Sequence, residues 1–131
     1  MGEQDMRLDR LLLPFSVAAL CLTPLHGAHA DNGEKLFVER CAMCHGADAK
    51  GSGPLARKSN PPTPDLTTAA FRKRLADYPG VIVSSIILRP NGDLIPRTLK
   101  ENGYRLPPHA WTVKDFRDLN EYLSGVIHRS N

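Results

Sequence analysis

Two cysteines and a histidine fall within five residues, Cys41-Ala42-Met43-Cys44-His45. Thiols at i and i+3 with an imidazole directly after them are what covalent attachment of a haem c requires. Each thiolate adds to one vinyl group of the porphyrin, and the adjoining histidine is delivered to the iron as proximal ligand. Other chemistry at this spacing needs other neighbours. A structural zinc site wants a second Cys or His pair, and the only further cysteine is Cys21, near the N-terminus. A thioredoxin-like redox pair wants a βαβ setting, with strands on both sides. A plain disulfide would leave the histidine without a role.

The segment before the motif reads as an address. Arg7 and Arg10 give a positive start that Glu3, Asp5 and Asp9 dilute, and an apolar run from Leu11 to Leu25 is broken by Pro14 and Pro24. The run ends at Ala28-His29-Ala30, a small-x-small site of the kind cut by signal peptidase. It is too short and too proline-broken to span a bilayer as a stable helix. Leu20 is bulky where a lipoprotein signal before Cys21 would want a small residue. The expected division is a Sec-type signal peptide over 1–30 and a single domain over 31–131, exported to the periplasm with no membrane span left after cleavage.

Composition narrows the class further. The 131 residues suit one domain, and three cysteines are too few for a disulfide-rich scaffold. The leader removes two of the 17 basic and three of the 14 acidic residues. That leaves 15 and 11, a net charge of +4, too weak for a dedicated nucleic-acid binder. A domain of about 100 residues buries a modest core and gains from a cofactor that completes it.

The elements that must position the motif follow from pattern. Asp31-Asn32 offers an N-cap for a helix running into the cysteines, in which Gly33, Phe37 and Cys41 share a face. Thr112 to Ser124 reads as a second helix. Thr112 caps it, Asp115 serves as capping-box partner, Phe116, Leu119 and Leu123 form the apolar stripe, and Gly125 is placed to stop it. Between them, Lys50 to Thr68 is loop by its Gly, Pro, Ser and Thr content. Thr68 to Tyr78 is a short helix with Phe71 and Leu75 on one face and a mostly solvated Arg72-Lys73-Arg74, whose alternative role is contact with haem propionates or a partner. Val81 to Leu88 is dense in β-branched residues and by propensity alone reads as a strand.

The chain from Asp31 onward resembles the class I c-type cytochromes of bacteria. The resemblance is carried by Gly33, Phe37, Cys41, Cys44 and His45, by Gly51-Ser52-Gly53-Pro54-Leu55, by Pro61 to Leu66, by Leu106-Pro107-Pro108 and by Tyr122-Leu123. It implies an all-α fold, three to five helices wrapped around one covalently attached haem c. First and last helices would cross beside the haem, with Gly33 allowing close approach and Phe37 and Tyr122 packing in the crossing. It implies a Pro54 carbonyl accepting the proton on the other ring nitrogen of His45. It also favours helix over strand for Val81 to Leu88, ahead of Gly92, with Pro79 near its first turn.

One departure is specific. The family usually completes the iron with a methionine sulfur followed by proline, and here Leu106 stands at that position on the distal face. Met1 and Met6 belong to the leader, and Met43 lies between the two thioether cysteines. Three options stay open for the sixth position. His109 is a candidate distal ligand, the site is open or water-filled, or Lys100, Asn102 or Tyr104 donates. Trp111 either packs on the haem edge or is a core aromatic at the head of the last helix. His128 is a surface residue. The expected function is a carrier of single electrons between an oxidoreductase and a later acceptor, docking its redox partners transiently at the haem edge rather than turning over a substrate. The alternative is a high-spin haem protein that binds NO, CO or O2 at an open distal site.

Overall fold

The computed structural model describes residues 27–89 and 94–130. Gly92 and residues 1–26, which hold most of the expected leader, lie outside them. The described residues form six helices and no strand: α1 Gly27–Arg40, α2 Ala42–His45, α3 Ala69–Asp77, α4 Val81–Ile87, α5 Arg97–Glu101 and α6 Val113–Arg129. The class is all-α as expected. The count exceeds three to five because the attachment motif itself makes one helical turn.

The principal helix contact is α1 against α6. It is close enough to need a residue without a side chain. A Cβ added at Gly33 would lie 2.2 Å from the Asp118 carbonyl oxygen and 2.7 Å from Tyr122 Cβ. One turn on, Phe37 is wholly buried and meets Tyr122 with ring centroids 5.8 Å apart. Asp118 is also wholly buried in the crossing, where its carboxylate needs partners. Asn32 Nδ2 donates to it at 2.8 Å, Lys114 pairs with it one turn earlier on α6, and Arg117 Nε approaches at 3.4 Å.

This overturns the cap expected at Asp31-Asn32. In the full chain α1 begins upstream, at Gly27, and the Asn32 amide is turned to α6 instead, reaching Asp115 at 3.3 Å as well as Asp118. Gly125 likewise does not stop α6, which continues to Arg129. Val126 and Ile127 beyond the glycine are buried. Burying two β-branched side chains is worth several kcal/mol, against about 1 kcal/mol for an interior glycine. His128 is therefore inside the last turn, exposed, its Nδ1 2.7 Å from the Ser124 carbonyl. The head of α6 forms as the sequence indicates. Thr112 Oγ1 accepts from Asp115 N, and Asp115 Oδ2 accepts from Thr112 N, a complete capping box.

α4 is a helix, against the β-propensity of its residues. Val81, Ile82 and Ile86 all go to the interior, a grouping that helical spacing allows and strand alternation would divide between two faces. Ser84 and Ser85 return their hydroxyls to the Val81 and Ile82 carbonyls at 3.1 and 2.7 Å. α3 starts at Thr68, whose hydroxyl accepts from Phe71 N.

The apolar interior is in two parts. The larger gathers Leu36 and Phe37 of α1, Leu75 of α3, Val81, Ile82 and Ile86 of α4, and Leu119, Leu123, Val126 and Ile127 of α6. The smaller holds Leu55, Ile95 and Leu99, with Cys44, Tyr104 and Leu106 against it.

Three outcomes are expected in melts of the holoprotein. Gly33→Ala must drive the crossing helices apart and is expected to cost about 3 kcal/mol, the upper range of overpacking. Gly125→Ala meets only the end of the Arg129 side chain, at 3.0 Å, and is expected to stabilise by about 0.5–1 kcal/mol. The third concerns Asp115. Burial alone would raise its carboxyl, but hydrogen bonds from Thr112, Asn32 and His109 hold it below its ordinary value. A depressed folded value stabilises fully above about pH 4 and is lost as pH falls through that folded value. Asp115→Ala should therefore cost about 1–2 kcal/mol at pH 7, a gap that narrows in acid.

Candidate haem-attachment site

α1 delivers the motif. Cys41 N bonds back to the Phe37 carbonyl at 2.8 Å, and His45 N to the Cys41 carbonyl at 2.8 Å, so α2 continues the chain through one turn. The following loop clamps that turn from outside. Gly51 N donates to the His45 carbonyl at 2.9 Å, Gly53 N to Cys44 at 3.1 Å and Leu55 N to Met43 at 3.0 Å. Gly53 has to be glycine here, since a Cβ would sit 2.4 Å from the Met43 carbonyl oxygen and 2.5 Å from that of Ala42.

Cys41, Cys44 and His45 together line a cavity of about 440 Å³, within the range of cofactor sites. Its walls come from both parts of the core: Ile82, Ile86, Leu119 and Leu123 from the larger, Ile95 and Leu106 from the smaller. The residues present fit a haem on three counts. Neither thiol is in a disulfide, so both are free to bond a vinyl carbon. The cavity walls are largely apolar. And burial, helped by the charge of Arg89, lowers the His45 pKa, keeping the imidazole neutral with a lone pair for a metal. Burial also raises both thiols, Cys41 to about 12 despite the opposing charge of Arg40, so in this state they are protonated. A bare metal finds less. Among the described residues no group of three or more His, Cys, Asp or Glu side chains is arranged to hold one.

The remaining expected residues divide. Leu106 lines the cavity. Pro54 lies beside the attachment turn, between Gly53 and Leu55, but the expected bond from His45 Nδ1 to its carbonyl is not made. His109 is not brought to this cavity. Its Nε2 lies 3.3 Å from Asp115 Oδ2 at the head of α6, and its ring meets Trp111 edge-on at 4.8 Å. The capping box has drawn in the residue proposed from sequence for the iron. Trp111 stacks on Phe116, centroids 5.2 Å apart, as a core aromatic of the α6 head. Lys100 and Tyr104 border a second, smaller cavity, and Asn102 bonds back to the Thr98 carbonyl.

Arg40, Arg74 and Arg89 all line the larger cavity; the sequence reading misses Arg40 and Arg89 and holds propionate contact by the basic triplet as its lesser alternative. Arg40 directly precedes Cys41, and that adjacency was the available signal. Arg74 belongs to the basic triplet, whose other members are engaged elsewhere, Lys73 with Asp77 and Arg72 with the Thr67 carbonyl. Arg89 had no signal, because its place depends on how α4 packs.

Among the described residues no helix is long and apolar enough to cross a membrane. No curated protein and no solved structure matches the chain. The family model for cytochrome c matches residues 30–126, from α1 through most of α6 and so across the attachment turn and the whole cavity wall, and the chain belongs to the cytochrome c family.

Proposed function

We propose that this cytochrome c is a periplasmic carrier of single electrons, in which Cys41 and Cys44 hold the haem and His45 is the proximal ligand. One observation carries the reading: two free thiols and a neutral imidazole from a single helical turn line one apolar cavity between the two parts of the core. Each thiol adds across a vinyl group, sulfur to one carbon and hydrogen to the other, with no net change of oxidation state. Bound there, haem c supplies a one-electron ferric/ferrous couple. The chain's part is to orient the group and keep water from it. Ile82, Ile86, Leu119 and Leu123 provide the low-polarity wall, and the Gly51–Leu55 loop locks the turn that bears His45. Arg40, Arg74 and Arg89 supply cations suited to the propionates. Export rests on the Arg7–Ala30 pattern, and partner proteins would dock weakly at the haem edge, as transient redox partners do.

A second reading, a small ligand at an open distal site, is favoured by the composition of the wall. Among the described residues lining the cavity the only imidazole is His45, the only thioether is Met43 within the attachment motif, and there is no lysine.

Replacing Cys41 and Cys44 by serine should abolish covalent attachment. Haem that resists acid-acetone extraction from this variant would overturn the whole assignment. On the distal side, His109→Ala should leave the spin state and the CO-binding rate of the ferrous protein unchanged. Leu106→Met, which supplies a thioether, should suppress CO binding and raise the reduction potential. A low-spin wild type that turns high-spin in His109→Ala would restore His109 as ligand.

A further inference from the structure

Between α5 and α6 the chain runs without regular structure, and Leu106 stands in the middle of that stretch. The loop does little to hold its own shape. Pro107 and Pro108 have no backbone N–H to offer. Among the described residues, 105–111 make no backbone–backbone hydrogen bond. Leu106 packs against the smaller part of the core but borders both cavities. A side chain facing open space forgoes contacts there, so packing alone holds it weakly.

Side chains tie the loop from outside. Before Leu106, the Tyr104 hydroxyl accepts from Lys58 Nζ at 3.1 Å. After it, His109 Nε2 lies 3.3 Å from Asp115 Oδ2. Between these two, Arg40 Nη1 donates to the Pro107 carbonyl at 2.8 Å, the shortest of the three and the one next to Leu106. Arg40 is well placed to hold. It ends α1 and directly precedes Cys41, so its backbone is anchored by the attachment turn. Its Nε is buried, and a planar guanidinium gripped there has little freedom to swing Nη1 off the carbonyl. Like Leu106, Arg40 borders both cavities.

We propose that Arg40 is the positioning residue of the distal side: its bond to the Pro107 carbonyl latches Leu106 across the haem cavity and sets how readily a small neutral ligand enters. The inference rests on the open-site reading, with Leu106 on the distal face, and adds what holds that wall. The residue beside the first attachment cysteine thereby joins the segment that bears the haem to the segment that covers it. Without the bond, the stretch from Tyr104 to His109 is tied at its ends, and Leu106 is free to move between the two cavities.

The test is a double-mutant cycle on the ferrous holoprotein, with Arg40→Gln, Leu106→Ala and the two combined, read as the rate of CO association after flash photolysis. CO carries no charge, so losing a cation does not by itself alter its approach. Leu106→Ala should speed association by removing the wall. Arg40→Gln should speed it about tenfold, a barrier change of about 1.4 kcal/mol. Once Leu106 is alanine the same substitution should act by less than about twofold, because a latch that works through Leu106 has nothing left to hold. Arg40→Lys keeps the charge but ends one bond short of Nη1. It should behave as Arg40→Gln does, and it carries the cycle where that variant does not fold. A wild-type rate in Arg40→Lys, with Leu106→Ala fast, overturns the latch and leaves the open site standing. An undiminished Arg40 effect in the Leu106→Ala background also overturns the latch, since the effect then runs by another route. Leu106→Ala at the wild-type rate, or without CO binding, overturns the open-site placement of Leu106 and the latch together.

Discussion

The contact of the α1 backbone with the α6 backbone at Gly33 governs the geometry of everything else. With the Asp118 carbonyl oxygen 2.2 Å from where a Cβ would stand, the two helices sit closer than side chains permit. That closeness buries Phe37 against Tyr122 and seals Asp118 with Asn32 and Lys114. It also sets the direction in which α1 hands over to the attachment turn one turn past Phe37. From α6, the same crossing presents Leu119 and Leu123 to the cavity that Cys41, Cys44 and His45 line. Helix crossing and cofactor site are one construction.

The second constraint is the divided core. Leu55, Ile95 and Leu99 are separated from the larger cluster, and the cavity runs between the two, lined by members of both. A chain of this size has little apolar surface to bury on its own. A large flat apolar group joined by two thioethers turns two small clusters into one continuous interior. The arginines at the cavity, unopposed by carboxylates among the described lining residues, suit the acidic edge of such a group.

How much was legible in advance depended on how local each signal was. The attachment motif is five consecutive residues, and the capping box at Thr112 and Asp115 spans four. The box formed as read, and the motif makes the single turn α2. Signals that competed with packing failed. Asn32 has the side chain of a cap but meets two carboxylates of α6, more than eighty residues away. Gly125 has the look of a stop, but Val126 and Ile127 bury beyond it. Val81 to Leu88 has strand propensity, yet three of its side chains share one wall. His109 stands three residues past Leu106, and only the fold reveals that Asp115 and Trp111 hold it away from the cavity.

By itself the sequence determined the cofactor and its points of attachment, because two thiols and an imidazole at fixed spacing act through local geometry that one helical turn supplies. It also set leucine, at position 106, before Pro107-Pro108. The tertiary structure decided what else lines the cavity. Arg40, Arg74 and Arg89 come together there from α1, α3 and the residues after α4. Charges far apart along the chain add into one field only where the fold places them around the same space.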